Sequence, residues 1–242
     1  MLKEAIEKIE AMAQPIIQEV EGRTVAITPQ DAFEIRPEPD RPDTLPLTSL
    51  DALVKLVKTE GLAADNPLYI TIPSHTLVQC FGQFQSMERC YRQFYYEVNA
   101  TDVPGWEAKV QLPFEEAMIA LRTRFQPTPD TDYALKLLSE ITTGAKITFN
   151  DSGIATSVVT KRGIDLQTNQ AIRPIVTLRP YRTFQEVEQP ASQFLIRVNE
   201  RGIQFVEADG GMWKLHARQT VQTFLQTALE VEIQDGSVVV AL

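Results

Sequence analysis

Short strand-like runs joined by turn residues are the feature that most limits what this chain can fold into. In the C-terminal part, β-branched and aromatic runs flank turn signals at residues 150–153 (Asn-Asp-Ser-Gly), at residues 199–202 (Asn-Glu-Arg-Gly) and at Asp235-Gly236. Strands separated by so few residues pair as antiparallel hairpins, whereas parallel strands need a long crossover connection. The pattern therefore predicts antiparallel sheet, including a C-terminal hairpin around Asp235-Gly236.

Helical segments are interspersed irregularly among these strands. Apolar side chains recur at helical spacing in residues 2–13, 50–60, 113–124, 130–143 and 212–229. Between them, strand-like runs predict a hairpin at residues 16–28 and a three-strand meander within residues 68–98. The sequence therefore predicts an α+β fold, with mainly antiparallel sheet built of hairpins and four or five interspersed helices.

A proline-rich segment separates the first helix and hairpin from the rest of the chain. Pro37, Pro39, Pro42 and Pro46 lie among acidic residues, and proline lacks the backbone donor that a sheet needs. We therefore predict an N-terminal helix and hairpin arm at residues 1–36, a connector at 37–47 and a main α+β domain at 48–242.

Composition and charge exclude several classes of protein. The 242 residues are 43% hydrophobic and 23% charged, which is typical of a globular protein. The net charge of −9, from 32 acidic and 23 basic residues, disfavours general coating of DNA. Because the N-terminal helix is charged and no apolar run approaches membrane-spanning length, we expect an intracellular protein without a transmembrane helix or secretion signal.

Cysteine and histidine are scarce. Cys80, Cys90, His75 and His216 are the four residues of these types, and no close pair among them has the spacing that starts a zinc site. We therefore expect free thiols, no bound metal and no cofactor.

Two segments carry side chains that suit an anionic ligand. Arg179, Tyr181 and Arg182 offer guanidinium groups beside an aromatic ring, and Asp209, Gly210 and Gly211 precede a predicted helix whose first amides attract anions. Each segment also has a structural interpretation. The arginines pair with Glu186 or Glu188 as part of an amphipathic strand, or Asp209 caps the helix while the glycines make the turn.

Catalytic motifs are weak. Ser74 adjoins His75, but the nucleophile-elbow pattern GxSxG is missing, and the Gly-rich turn matches neither a P-loop nor a dinucleotide fingerprint. Paired carboxylates such as Asp130 and Asp132 lie at a predicted helix start, where negative charge is stabilising. We therefore assign no catalytic residue and favour a protein that is not an enzyme.

The densest aromatic region lies near residues 91–106. Alternation along a strand places Tyr91 and Tyr95 on one face and Phe94 and Tyr96 on the other. One set can line a protein interface, with Tyr91, Tyr95 and Trp106 as candidates, or the rings can pack in the core.

Two strings in the sequence are distinctive: LRPYRTFQEVEQPASQF at residues 178–194 and FVEADGGMWKL at residues 205–215. In these strings the chain resembles an uncharacterised family of bacteriophage and prophage proteins of Gram-positive hosts, with a more remote similarity to YfdQ-like prophage proteins. The resemblance continues through residues 120–122, 150–153 and 50–56, so it covers most of the chain. It implies expression inside an infected bacterium and carries no catalytic assignment.

We therefore expect a non-enzymatic, homo-oligomeric phage or prophage protein in the host bacterial cytoplasm. It would bind a host protein or a small phosphorylated ligand during infection, in counter-defence or as a replication accessory, without contacting a membrane. One alternative is a virion structural or assembly protein. Another is an enzyme that processes nucleotides or nucleic acid, in which Arg179 and Arg182 bind phosphate and Glu207 or Asp209 supplies a carboxylate.

Overall fold

The fold was established from a computed structural model. It describes residues 3, 16–20, 23–28, 31–35, 43–60, 66–84, 92–106, 110–143, 146–151, 156–162, 166–171, 173–199 and 201–242, without the side chains of Phe33, Thr143 and residues 146–171. The chain divides into two compact units, Met1–Pro42 and Asp43–Leu242. The division falls within the predicted connector, and the finer three-part division stays a prediction.

The first unit contains one three-stranded sheet. Its strands are β1 (Ile16–Val20), β2 (Arg23–Ile27) and β3 (Ala32–Glu34), in the order β1-β2-β3 with antiparallel pairing. The pairing of β1 with β2 confirms the hairpin predicted at residues 16–28. The helix predicted at residues 2–13 lies, apart from Lys3, outside the described residues.

The second unit alternates strands and helices irregularly. In chain order it contains β4 (Leu45–Leu47), α1 (Leu50–Thr59), β5 (Leu68–Ser74), β6 (Leu77–Phe84), β7 (Arg92–Asn99), β8 (Gln111–Leu112), α2 (Phe114–Thr123), α3 (Pro129–Thr143), β9 (Lys146–Asp151), β10 (Thr156–Arg162), β11 (Leu166–Ala171), β12 (Ile175–Leu178), β13 (Ser192–Asn199), β14 (Gly202–Glu207), α4 (Trp213–Ala228), α5 (Glu230–Gln234) and β15 (Val238–Ala241).

A five-stranded sheet forms the first core of this unit. Its strand order is β15-β5-β6-β7-β4, and the central meander β5-β6-β7 is antiparallel as predicted. One face packs against α1 and α4, where Leu53, Ile70 and Leu225 belong to a single buried cluster. The serine hydroxyl of Ser49 accepts a hydrogen bond of 3.0 Å from the Ala52 amide and so caps α1.

A four-stranded sheet forms the second core. Its order is β12-β13-β14-β8, all antiparallel, and α2 and α3 pack on it. Leu121, Leu138, Phe194 and Phe205 are fully buried there. Strands β9, β10 and β11 make a separate antiparallel sheet in which β10 lies between the other two.

These sheets confirm the predicted α+β fold, which is rich in antiparallel pairing. The predicted C-terminal hairpin is wrong, because residues Glu230–Gln234 form a helix and β15 pairs in parallel with β5. That pairing buries Val238 beside Leu68 at the edge of the first core. Among the described helices, none is both long enough and apolar enough to cross a membrane.

Candidate functional site

The segment between β12 and β13 carries two of the arginines selected from the sequence. The buried amide of Gln189 holds it in shape, because its oxygen accepts hydrogen bonds from the backbone N–H groups of Arg182 and Thr183. The Gln189 nitrogen donates to the carbonyl of Phe184 at 2.9 Å. An internal side chain thus provides the hydrogen bonds that a regular strand would otherwise supply.

Arg182 lies almost entirely inside the protein, with 5% of its surface exposed. Its Nη2 is 2.6 Å from Glu207 Oε1, so the two side chains form a close ion pair. The guanidinium carbon lies 4.3 Å from the centre of the Trp213 ring, and Nη1 donates to Ser192 Oγ at 3.3 Å. Burial lowers the pKa of Arg182, and the charges of Glu207 and Asp209 counteract that effect.

Asp209 completes this network. One carboxylate oxygen accepts a 2.8 Å hydrogen bond from Ser192 Oγ, and the other accepts one of 3.0 Å from the Gly211 amide. Gly210 and Gly211 adopt positive φ angles of 63° and 82° that favour glycine. The N-cap residue of α4 is Met212, so the interpretation of Asp209 as the helix cap is wrong.

The charges around Arg182 do not favour a phosphate. Two carboxylates, from Glu207 and Asp209, flank this single buried cation and neutralise it. The Gly211 amide, which an anion would need, already donates to Asp209. A phosphate placed here would lose more to carboxylate repulsion than it would gain from one shared guanidinium.

Arg179 and Tyr181 lie outside this network. The Arg179 guanidinium pairs with Glu188, and Arg179 lines a surface depression of about 440 Å³ together with Thr128 and Asp130. The Tyr181 amide donates to the Arg124 carbonyl at 2.9 Å, and its side chain is half-buried. The structure therefore brings Arg182, Asp209 and Gly211 together but places Arg179 elsewhere.

His75 borders the network from the turn between β5 and β6. Its ring meets the Trp213 ring edge-on, with centroids 4.7 Å apart, and its carbonyl accepts a hydrogen bond from the Thr183 hydroxyl. Burial, followed by the charges of Lys214 and Arg182, lowers the pKa of His75. The neighbouring Ser74 hydroxyl accepts a hydrogen bond of 3.2 Å from the Thr76 amide and lies 3.3 Å from the Thr76 hydroxyl.

The three aromatic residues predicted for an interface have separate positions. Tyr91 lies outside the described residues. Tyr95 packs against the first core, with its ring beside Gly82. Trp106 meets Phe125 edge-on at a centroid distance of 4.8 Å and packs against the second core.

The other face of the five-stranded sheet carries a row of apolar side chains that was not predicted from the sequence. Strand pairing aligns Val239, Tyr69, Phe81 and Phe94 across β15, β5, β6 and β7. Phe81 and Phe94 stack with centroids 4.8 Å apart, and neither core includes any of the four. We call this row, together with Phe84 and Arg92 beside it, the aromatic face.

A β-bulge explains why alternation along β7 gave a different set. Register shifts between Cys80 and Phe81, so that Cys80 pairs with Tyr96 while Phe81 pairs with Phe94. Tyr95 is the additional residue, and it turns toward the core together with Tyr96. Phe94 alone of these three rings therefore lies on the aromatic face.

Charged residues flank the row on both sides. The guanidinium of Arg92 lies over the rings of Tyr69 and Phe84, at 4.6 and 4.2 Å from their centres. Glu97 follows on the opposite side of the row, where its oxygens accept from Gln79 and Asn99. Cation–π contact and amide hydrogen bonds hold both charges in place, and within the described residues neither has an oppositely charged partner.

Metal ligands do not gather in the described part of the chain, where no three His, Cys, Asp or Glu residues are grouped to hold an ion. Comparison with protein-family models, with curated proteins and with solved structures gave no match to this chain.

Proposed function

We propose that this chain is a non-enzymatic phage or prophage protein that works by self-association and by binding a host protein in the infected cell. The observation that carries the proposal is the aromatic face, where Tyr69, Phe81 and Phe94 lie in register outside both cores. These three rings are half-buried and adjoin the exposed side chains of Val239 and Phe84. An apolar surface of this kind is typical of a protein interaction site. The phage context comes from the sequence resemblance alone.

The polar residues support the same proposal. Arg182, Glu207 and Asp209 are among the residues that the sequence suggested for ligand chemistry, and all three bind one another or their neighbours. A side chain that is held in an internal ion pair is better suited to stabilising the fold than to catalysis. The geometry therefore gives less support to a small phosphorylated ligand or to a nucleotide-processing enzyme.

Light scattering after size-exclusion chromatography tests the proposal. We expect the purified chain to form a multimer whose proportion rises with concentration, and a strict monomer at all concentrations would contradict the proposal. Hydrolysis of a nucleotide panel that is abolished by Asp209→Asn in a folded variant would contradict its non-enzymatic part.

A matched pair of substitutions tests the surface. Phe94→Gln removes a ring from the aromatic face. Ile119→Gln removes an apolar side chain that is 62% exposed on α2, the helix that packs against the second core. We expect Phe94→Gln to weaken self-association and Ile119→Gln to leave it unchanged. Equal effects of both substitutions would show that general surface hydrophobicity drives the association instead.

A further inference from the structure

We infer that a second copy of this chain occupies the aromatic face. The two copies are related by a twofold axis that runs along the row Val239, Tyr69, Phe81 and Phe94. The inference rests on the proposed function and names the partner of the surface described above. The placement of the two flanking charges, Arg92 and Glu97, supports this arrangement.

Arg92 and Glu97 lie at similar distances on opposite sides of the row. Arg92 is two residues before Phe94 on β7, about 7 Å away at the usual rise of a strand. Glu97 pairs with Gln79, which is two residues from Phe81 on β6 and therefore also about 7 Å from the row. The bulge at Tyr95 makes these two separations equal.

Because Arg92 and Glu97 are equally far from the row, a twofold axis along the row brings opposite charges of the two copies together. Rotation about it lays each residue of the row over its own copy and reverses the strand direction. The β7 backbone position of Arg92 in one copy then faces that of Glu97 in the other, and the reciprocal pair of positions does the same. The Arg92 guanidinium, which lies over the Tyr69 and Phe84 rings in the single chain, swings off these rings to form the ion pair. Two open sheet faces pack in this aligned manner in β-sandwiches, about 10 Å apart.

Arg92 and Glu97, which have no oppositely charged partner among the described residues, favour this occupant over the others. Nucleic acid needs several cations along its backbone, and Arg92 is the cation that the aromatic face supplies among the described residues, with Glu97 beyond the row. A purely apolar partner would bury Arg92 and Glu97 without counter-charges. A second copy satisfies both charges and stacks aromatic rings on aromatic rings.

Charge reversal tests the inference. We compare the full chain with Arg92→Glu, with Glu97→Arg and with the variant carrying both, by sedimentation equilibrium and light scattering. Each single reversal places two like-charged pairs in the interface and should weaken the dimer about tenfold or more, whereas the double reversal exchanges the charges and should restore it to within about threefold.

The outcomes separate the inference from the proposed function. Unchanged self-association affinity in both single variants would overturn the twofold arrangement, and so would a double variant that fails to restore the affinity. Either result would leave the proposed function standing. A monomeric wild-type chain overturns both. Circular dichroism establishes that each variant is folded.

A cysteine cross-link gives a second readout that does not depend on charged variants folding. In a background with Cys80→Ser and Cys90→Ser, Phe94→Cys places a thiol beside the proposed axis, opposite its own copy. Because facing sheets lie about 10 Å apart, too far for a direct disulfide, a short bismaleimide supplies the span. The reagent should give a covalent dimer with Phe94→Cys, and Gln193→Cys, an exposed position on β13 of the other sheet, should stay monomeric. Equal cross-linking of the two variants, or none at position 94, contradicts the inference.

Discussion

The Arg182 guanidinium and the Glu207 carboxylate form an ion pair, with 2.6 Å between Nη2 and Oε1, at a point where 5% of the arginine is exposed. The pair joins the β12–β13 connection to the end of β14. Each charge is the counter-ion of the other, and the Ser192 hydroxyl connects the guanidinium to Asp209 through two hydrogen bonds. We therefore expect the network to stabilise the fold.

We expect Arg182→Ala to reduce the free energy of unfolding by about 3–5 kcal/mol, because it leaves the carboxylates of Glu207 and Asp209 without their cation. Arg179→Ala is the matched control, since its ion pair with Glu188 is more exposed and should contribute less than about 1 kcal/mol. Urea denaturation of the two variants measures the difference. Similar losses in both would show that the Arg182 network has no special structural role.

Much of the fold follows from local sequence signals. The apolar spacing predicted a helix at residues 212–229, and α4 spans Trp213–Ala228. The turn at residues 199–202 joins β13 to β14 as an antiparallel pair, as predicted. Periodicity and turn residues act over a few positions, so they are visible in a single sequence.

The candidate site depends on contacts that are distant in the sequence. Alternation could not place Phe94 on the aromatic face, because the bulge at Tyr95 is a property of the pairing with β6. Burial of Arg182 depends on Glu207 and Trp213 from later elements. The same holds for β15, whose partner β5 lies at the other end of the unit.

Stability should fall at mildly acidic pH because of His75. Its pKa is lowered in the folded state, so below about 6.5 the unfolded chain binds a proton that the folded chain does not. The free energy of unfolding should therefore decrease as pH falls from about 7.5 toward the lowered folded-state pKa.

His75→Gln isolates this contribution. We expect the free energy of unfolding of this variant, measured with urea, to depend less on pH than that of the wild-type chain over this interval. Loss of the ring contact with Trp213 changes the free energy of unfolding by the same amount at every pH and so does not affect the comparison of slopes. Parallel slopes for the wild type and His75→Gln would show that His75 is not responsible.

The Cys80 thiol should be unreactive in the native protein. It is fully buried on β6, and burial raises its pKa to about 12. Because the thiolate is the nucleophile, alkylation of a Cys90→Ser variant at pH 8 should be slowed about a thousandfold or more relative to the same variant in urea. Rapid labelling under native conditions would show that the β5–β6–β7 meander opens locally.

Gly202 fits the β13–β14 hairpin because it has no side chain. Its φ angle is 139°, and an added Cβ would lie 2.0 Å from the carbonyl oxygen of Leu112 on the neighbouring strand β8. Gly202→Ala therefore combines backbone strain with a clash against backbone that cannot move freely, and should cost at least about 3 kcal/mol of unfolding free energy.

Gly236→Ala is the control for strain alone. Gly236 also has a positive φ, of 82°, but an added Cβ there meets nothing within 4 Å, so the cost should be about 1 kcal/mol. Thermal and urea denaturation of the two variants measure the gap between them. If Gly202→Ala is tolerated as well as Gly236→Ala, strand β8 does not lie against the hairpin as closely as the register Ile203↔Leu112 requires.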